Sequence, residues 1–319
     1  MKTSILIPVY GVEKYIAECA RSLFEQTYED IEYIFVDDCT PDNSMQILKD
    51  ILEEYPQRKH RVRFFYNKRN LGSMLVRLVA LKKAIGDYIM FVDSDDSLPT
   101  DAVEKLTNAI NRTGADFIEG DYITKYKGGV TTLSTMSNYT DQTYRRLLLC
   151  QNLMHHTLWG KIFKRELFTE TDIEFNPAVT NMEDFSIIAQ LAFYSHRETI
   201  NDVVYIYRSE GDSFFYKMDD KKRCRSVMKV NETVMKFYSS HDTEHEYAAA
   251  LKIGFLNMLQ RIKTSGISKQ DIKEQCIHRP KGIIPFVMLN LYPYLSRKTL
   301  KRIYLIHKFA YRYLLRVLH

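Results

Sequence analysis

Apolar and polar positions alternate in blocks over the first half of the chain. Short runs rich in Ile, Val, Phe and Tyr occur at Ser4–Tyr10, Ile31–Asp37, Val62–Asn67 and Tyr88–Asp93; their length and side chains predict strands. Between them, Lys14–Gln26, Ser44–Tyr55 and Met74–Ala84 repeat apolar residues at spacings of three and four, the period of a helix with one buried face. Strand and helix in alternation predict βαβ units, hence an α/β fold with a mostly parallel sheet covered by helices on both faces. The pattern continues with a helix over Thr100–Asn111, a strand over Phe117–Tyr126 before a Gly128-Gly129 turn, a helix from Glu183 and a strand over Thr199–Tyr207. Past about residue 215 only helical patterns remain, at Lys222–Tyr238 and Glu246–Lys263. The expected organisation is a sheet domain over residues 1–215 and a C-terminal helical region over 216–319.

Composition narrows the class. With 45% hydrophobic and 27% charged residues the chain can bury a core, which excludes wholesale disorder. Cys19, Cys39, Cys150, Cys224 and Cys276 are scattered, odd in number and contain no C-x-x-C pair. That argues against a disulfide framework and a zinc knuckle and fits a reducing compartment. The apolar opening run is too short for a signal core, and no 18 uninterrupted apolar residues occur anywhere, so a cytoplasmic protein is expected. Net charge is +5 but uneven: after Glu274 there is no Asp or Glu, only nine Lys and Arg, leaving 36 Lys+Arg against 40 Asp+Glu in the rest. Leu300–Leu318 predicts a helix mixing Lys301, Arg302, Lys308, Arg312 and Arg316 with apolar residues. Such a tail (residues 279–319) suits a helix on an anionic membrane surface, at the inner face of the cytoplasmic membrane, or one packed on the catalytic domain with a solvated basic face. Nucleic acid is not expected, since no binding motif accompanies the charge.

Ligands of parallel sheets bind beyond the carboxyl ends of the strands, and three of those ends are polar. The first is Pro8-Val9-Tyr10-Gly11, the second Asp37-Asp38-Cys39-Thr40-Pro41-Asp42, the third Asp93-Ser94-Asp95-Asp96. Three carboxylates within four residues repel one another unless a cation sits among them. Mg²⁺ or Mn²⁺ suits such oxygen ligands, taking one or two carboxylates plus substrate phosphates; the plainer reading is a strand-end turn and helix cap. Asp38 could accept from a base or ribose, while Asp42 and Asn43 look like ordinary caps. Asn181-Met182-Glu183-Asp184 opens an apolar helix, where an acidic pair favours the macrodipole and a carboxylate could also serve as general base. Arg77, after Asn70-Leu71-Gly72, could meet phosphate or a neighbouring carboxylate. Trp159, the single tryptophan, reads first as a core anchor and second as a sugar platform.

Taken in order, Ser4-Ile5-Leu6-Ile7-Pro8-Val9-Tyr10, Ile34-Phe35-Val36-Asp37-Asp38, Asn70-Leu71-Gly72, Gly86-Asp87-Tyr88 through Asp93-Ser94-Asp95-Asp96, and Glu183-Asp184 resemble the inverting glycosyltransferases of family 2, with the Rossmann-like GT-A fold. The resemblance is dense over residues 1–125 and extends to about 213. It implies transfer of one sugar from a nucleoside-diphosphate donor, UDP in type, to a saccharide or lipid-linked saccharide hydroxyl in cell-surface polysaccharide synthesis. It implies donor contacts at Pro8, Tyr10, Glu13, Asp38, Asn70, Gly72, Arg77 and Asp93, a metal at Asp93 and Asp95, and a base at Asp184. Trp159, Lys161, Glu183 and Arg208 match positions near the acceptor or the diphosphate, and Ser213 a segment beside Arg208. Two departures stand out: Cys39-Thr40 replaces the usual Gly-Ser, and Val76-Arg77-Leu78 keeps only the arginine of Ala-Arg-Asn. The Gln-x-x-Arg-Trp motif of processive synthases is missing, since Thr157-Leu158 precede Trp159. Two other classes fit less well. A non-catalytic nucleotide-sugar-binding assembly subunit would not need every acidic position, and a nucleotidyltransferase would show a Gly-rich basic loop where Gly11-Val12-Glu13-Lys14-Tyr15 stands.

Overall fold

Strand β1 (Thr3–Val9) is buried along nearly its whole length, and it lies at the middle of a parallel core because its neighbours on both sides are strands. It pairs in parallel with β2 (Ile31–Asp37) and with β4 (Tyr88–Phe91), and β2 pairs in parallel with β3 (Val62–Tyr66). The order β3-β2-β1-β4 continues through β7 (Lys161–Lys164) and β5 (Phe117–Tyr126) to β6 (Thr131–Ser134), and β8 (Arg197–Ser209) pairs β5 in parallel. The later pairs β4–β7, β7–β5 and β5–β6 are antiparallel, so the sheet is parallel at its N-terminal half and mixed beyond it. This computed structural model describes residues 1–129, 131–151, 154–209 and 219–317. Among them no helix is long and apolar enough to cross a membrane.

Four helices cover the sheet: α1 (Ile16–Phe24), α2 (Ser44–Glu53), α3 (Ser73–Leu81) and α4 (Ala102–Thr113). Their buried positions follow the three-and-four spacing read from the sequence; on α1 they are Ile16, Cys19, Ala20, Leu23 and Phe24. Predicted strands and helices fall within a few residues of the observed ones. What periodicity missed were β6, β7, a helix α5 (Asp141–Leu149), a one-turn α6 (Glu166–Thr169) and the helices Lys269–Gln275 and Ile283–Leu291; β6, β7 and α6 are four residues each, too short to print a pattern.

The division of the chain differs from a single cut near residue 215. One compact unit holds Met1–Asn138, Thr157–Asp172 and Tyr194–Tyr216, with the whole sheet; the other holds Tyr139–His156, Ile173–Phe193 and Lys217–His319. Helix α5 and α7 (Glu183–Tyr194) therefore join the C-terminal helices, apart from Tyr194 itself. The reason is packing: α7 buries eight residues from Phe185 to Ala192, and its Ala189 carbonyl accepts from Tyr238 on the helix Asp220–His241 at 2.8 Å. Likewise α5 meets the helix Ala248–Ile262 at Gly254, where a Cβ would lie 2.5 Å from the Leu149 carbonyl oxygen; only glycine permits that approach.

Inside the sheet unit, β5, β7 and β8 share a buried charge cluster. Glu119 lies between Lys161 Nζ at 2.7 Å and the Arg197 guanidinium at 2.7 and 2.9 Å, and all three side chains are fully buried. Removing the anion would leave two cations without it in a dry interior, which costs far more than the net worth of the pairs. Glu119→Ala is therefore expected to lower unfolding free energy by about 3–5 kcal/mol, read as a shifted urea midpoint.

Candidate functional site

The strand order reverses between β1 and β4, and the carboxyl ends of β1, β2 and β4 open there; this is the crevice where doubly wound sheets take ligands. Three aspartates cluster at the end of β4, and the structure gives each a different surrounding. Asp93 is partly exposed and paired with buried Arg77 of α3, Nη2 to Oδ1 2.7 Å. Asp96 is buried and accepts from Tyr205 Oη at 2.8 Å and from the Arg208 amide at 2.7 Å. The same Tyr205 hydroxyl accepts from the Asp93 amide at 3.1 Å, so one phenol ties both ends of the acidic loop. Asp95 alone projects outward.

Charge follows from this sorting. Protein crowds Asp95 although it is exposed; desolvation first, and the Asp93 charge second, push its carboxyl up to about 6. Asp96 is raised well above the ordinary value by burial and by its two acidic neighbours, partly offset by the bonds from Arg208 and Tyr205. An exposed carboxylate held in excess negative charge, beside Asp93, is what a hard divalent cation would relieve, so the residues present fit Mg²⁺ or Mn²⁺. Among the described residues no three His, Cys, Asp or Glu converge into a protein-only cage, and a cation completed by substrate phosphates does not need one.

A second motif is tied to the first through the loop before α3. Asp38 is buried and its carboxylate accepts from Asn67 Nδ2 at 2.8 Å, the Leu71 amide at 2.8 Å and the Gly72 amide at 2.9 Å. Gly72 has φ +84° and is the N-cap from which α3 starts, carrying Arg77 toward Asp93. Here Asp38 organises the loop 67–72, where the sequence reading assigned it to the donor. On the β1 side, Tyr10 is exposed, Pro8 partly so, and Glu13 accepts from the Asn43 amide at 3.2 Å while its own amide donates to Asp42 at 3.0 Å. Asn70 is exposed. Arg208 places Nε 3.1 Å from the Asp95 carbonyl, pairs with Glu18 and lies over the Tyr15 ring. Beside it a groove of about 390 Å³ is lined by Lys125, Tyr126, Lys127, Gly128 and Gly129, giving the acidic loop a basic rim.

Two candidates are corrected. Lys161 is fully buried on Glu119, so its charge serves the core and does not face an acceptor or a diphosphate. Trp159 is buried as well, stacked on Tyr205 at 4.5 Å and Tyr207 at 5.3 Å between centroids; it braces the strand that carries the Tyr205 hydroxyl rather than offering a sugar platform. Tyr205 is the residue that sequence reasoning missed: nothing local in Thr199–Tyr207 distinguishes it from any buried strand tyrosine.

Glu183 and Asp184 form the first turn of α7 in the helical unit, both half-buried. The chain ahead of them is fixed by Ser226, whose hydroxyl accepts from the Thr180 and Asn181 amides at 2.9 Å and donates to the Asn181 carbonyl at 3.0 Å. Ser213 lies outside the described residues.

Comparison with known proteins agrees with the geometry. The sequence model for "Glycosyl transferase family 2" matches residues 4–171. The chain is 26% identical over 279 residues to glycosyltransferase GlyG of Streptococcus pneumoniae, covering 82% of this chain and 87% of that one. In structure it is similar to S. aureus TarS 1-349 in complex with UDP-GlcNAc, with TM-score 0.60, 19% identity and coverage of 87% and 88%. It is also similar to the mannosyltransferase PcManGT of Pyrobaculum calidifontis in complex with GDP-Man and Mn²⁺, with TM-score 0.53, 14% identity and coverage of 97% and 86%.

Two measurements follow from the site. Cys39 stands at φ +61°, in the left-handed region that a side chain resists; the family's usual glycine suits that backbone. Cys39→Gly is expected to raise stability by about 0.5–1 kcal/mol, the relieved strain exceeding the added unfolded-state entropy, seen as a higher urea midpoint. Because Asp95 keeps its proton to about pH 6 in the folded chain and loses it lower when unfolded, cation-free protein should lose stability as pH rises through that window. Cation binding displaces the proton, so Mn²⁺ affinity should climb up to about pH 6 and then level off. Melting curves with EDTA and with Mn²⁺ test both, and Asp95→Asn should flatten them.

Proposed function

The chain belongs to glycosyl transferase family 2, and we propose that it moves one sugar per encounter from a UDP-type donor to a hydroxyl of a saccharide or lipid-linked saccharide, inverting the anomeric centre. The observation that carries this reading is the sorting of the acidic loop: Arg77 holds Asp93, Tyr205 and Arg208 hold Asp96, and Asp95 is left facing outward at the switch point of a parallel sheet. Nucleoside-diphosphate sugars in the complexes of TarS and PcManGT support the donor class.

In the proposed reaction the acceptor oxygen forms a bond to the anomeric carbon while the bond from that carbon to the diphosphate oxygen breaks. The electron pair of that bond leaves with the nucleoside diphosphate. Asp184 takes the acceptor's proton as it attacks, with Glu183 beside it in the helical turn. A divalent cation held by Asp95, with Asp93 next to it, would supply charge neutralisation for the leaving diphosphate. Tyr10, Pro8 and Glu13 line the nucleoside side at the end of β1, with Asn70 and Gly72 on the neighbouring loop, and Arg208 borders the diphosphate. Apart from Asp184, every residue named acts by position or charge, as expected where the cleaved bond already carries a good leaving group.

The basic C-terminal segment would bring the protein to an anionic membrane surface, where a lipid-linked acceptor resides. Transfer is measured as nucleoside diphosphate released from a panel of nucleotide sugars with Mn²⁺ and a saccharide acceptor. Asp184→Asn should lower turnover by about 10²–10⁴-fold with donor affinity retained, and Asp95→Ala should remove the Mn²⁺ response. Near-normal turnover in Asp184→Asn would strip that residue of its role, and NMR of the product's anomeric proton decides inversion.

A further inference from the structure

We infer that the segment Gly282–Tyr294, rather than the long terminal helix alone, is the part of this chain that enters a lipid bilayer. The inference rests on the membrane reading above and gives that reading its contact residues. The helix Ile283–Leu291 is apolar at every position but Asn290, which accepts from Lys269 Nζ at 2.8 Å. One side, Pro285, Met288 and Leu289, followed by Tyr292, is buried within the helical unit. The other is open: Ile283 is 81% exposed, Phe286 71% and Tyr294 86%, with Ile284, Val287 and Leu291 exposed between them. A helix that is hydrophobic all round belongs in a core or in lipid, and an exposed patch of this kind marks an interaction site.

Charge decides which partner fits. Lys281 precedes the ridge, and Arg297, Lys298, Lys301 and Arg302 follow it, all exposed. From residue 275 to the end the sequence holds nine Lys and Arg and no acidic residue. An apolar ridge flanked by cations matches a surface of acyl chains beneath anionic headgroups, which attract each Lys or Arg. Tyr294 sits where an amphipathic ring favours the headgroup level. In the terminal helix Arg297–Val317, Leu300 and Tyr304 are buried while Ile306, Phe309 and Tyr313 are exposed at spacings of three and four, a narrower stripe that adds to the ridge.

The test uses the full chain and sedimentation with phosphatidylcholine vesicles, with and without about one-third phosphatidylglycerol. The parent should bind the anionic vesicles, and I283S/F286S/Y294S should bind about tenfold or more weakly at an unchanged melting temperature. Ile283→Trp should bind more tightly, at an unchanged melting temperature and with no pelleting in the absence of vesicles. If the triple variant binds like the parent while K298E/K301E/R302E loses binding, the ridge is refuted and the basic-tail reading survives. If the parent ignores anionic vesicles, both fall. If sedimentation velocity shows a parent dimer that the triple variant breaks, with no lipid binding, the ridge is an interface between copies and the inference is overturned.

Discussion

Crowded negative charge at the end of β4 is the constraint around which the sheet unit is arranged. Three carboxylates in four residues cannot all be ionised side by side without compensation. The structure supplies it from two distant elements: Arg77 on α3 for Asp93, and Tyr205 and the Arg208 amide on β8 for Asp96. Each partner is itself held. Arg77 is aimed by a helix that starts where Asp38 grips the Leu71 and Gly72 amides, and Tyr205 is pressed against Trp159. Both ends of the loop are thus held by protein partners, and the one carboxylate left outward has its proton affinity raised by its surroundings.

Much of this was legible in the sequence, and the boundary of what was not has a physical cause. Strands β1, β2 and β4 could be read because buried parallel strands are near-continuous apolar runs. Asp37-Asp38 and Asp93 to Asp96 stood out because carboxylates rarely cluster at strand ends without a job. Their division of labour was illegible, since it depends on partners far along the chain: Tyr205 is over a hundred residues from Asp96. Lys161 misled for the same reason. The resemblance placed it near the acceptor or the diphosphate, whereas β5 and β8 bring Glu119 and Arg197 around it. The division into units escaped as well, because whether α5 and α7 face the sheet or the other helices is set by which apolar face finds a partner.

On the proposed reading, the uneven charge of the chain separates two tasks that would otherwise conflict. An acidic crevice is repelled by an anionic surface, and a body with 36 Lys+Arg against 40 Asp+Glu has no net attraction to one. Spreading extra cations over the sheet unit would also place them near the acidic loop and weaken its pull on a divalent ion. The nine basic residues after Glu274 belong to the unit that contains no part of the sheet. Within the sheet unit Arg77 pairs with Asp93, and Glu18 pairs with both Arg208 and Lys125.

Backbone strain gives an independent reason to take the two acidic motifs together. Among the described residues only Cys39, Gln151, Met182 and His245 are non-glycines with positive φ. Two of these four adjoin the motifs, Cys39 directly after Asp37-Asp38 and Met182 directly before Glu183-Asp184. Such conformations cost about 1–3 kcal/mol each and persist only where the surroundings over-determine them. At Cys39 the Asp37 carboxylate accepts from the Thr40 amide at 2.8 Å. At Met182 the clamp is Ser226 on the preceding loop, with Arg261 against the thioether at 2.9 Å. Neither clamp adds to the core, and a chain selected for stability alone would relax both turns with glycine or asparagine. Strain kept at two separate acidic turns, each held by its own hydrogen bonds, argues that where those carboxylates point matters more to this protein than the stability given up.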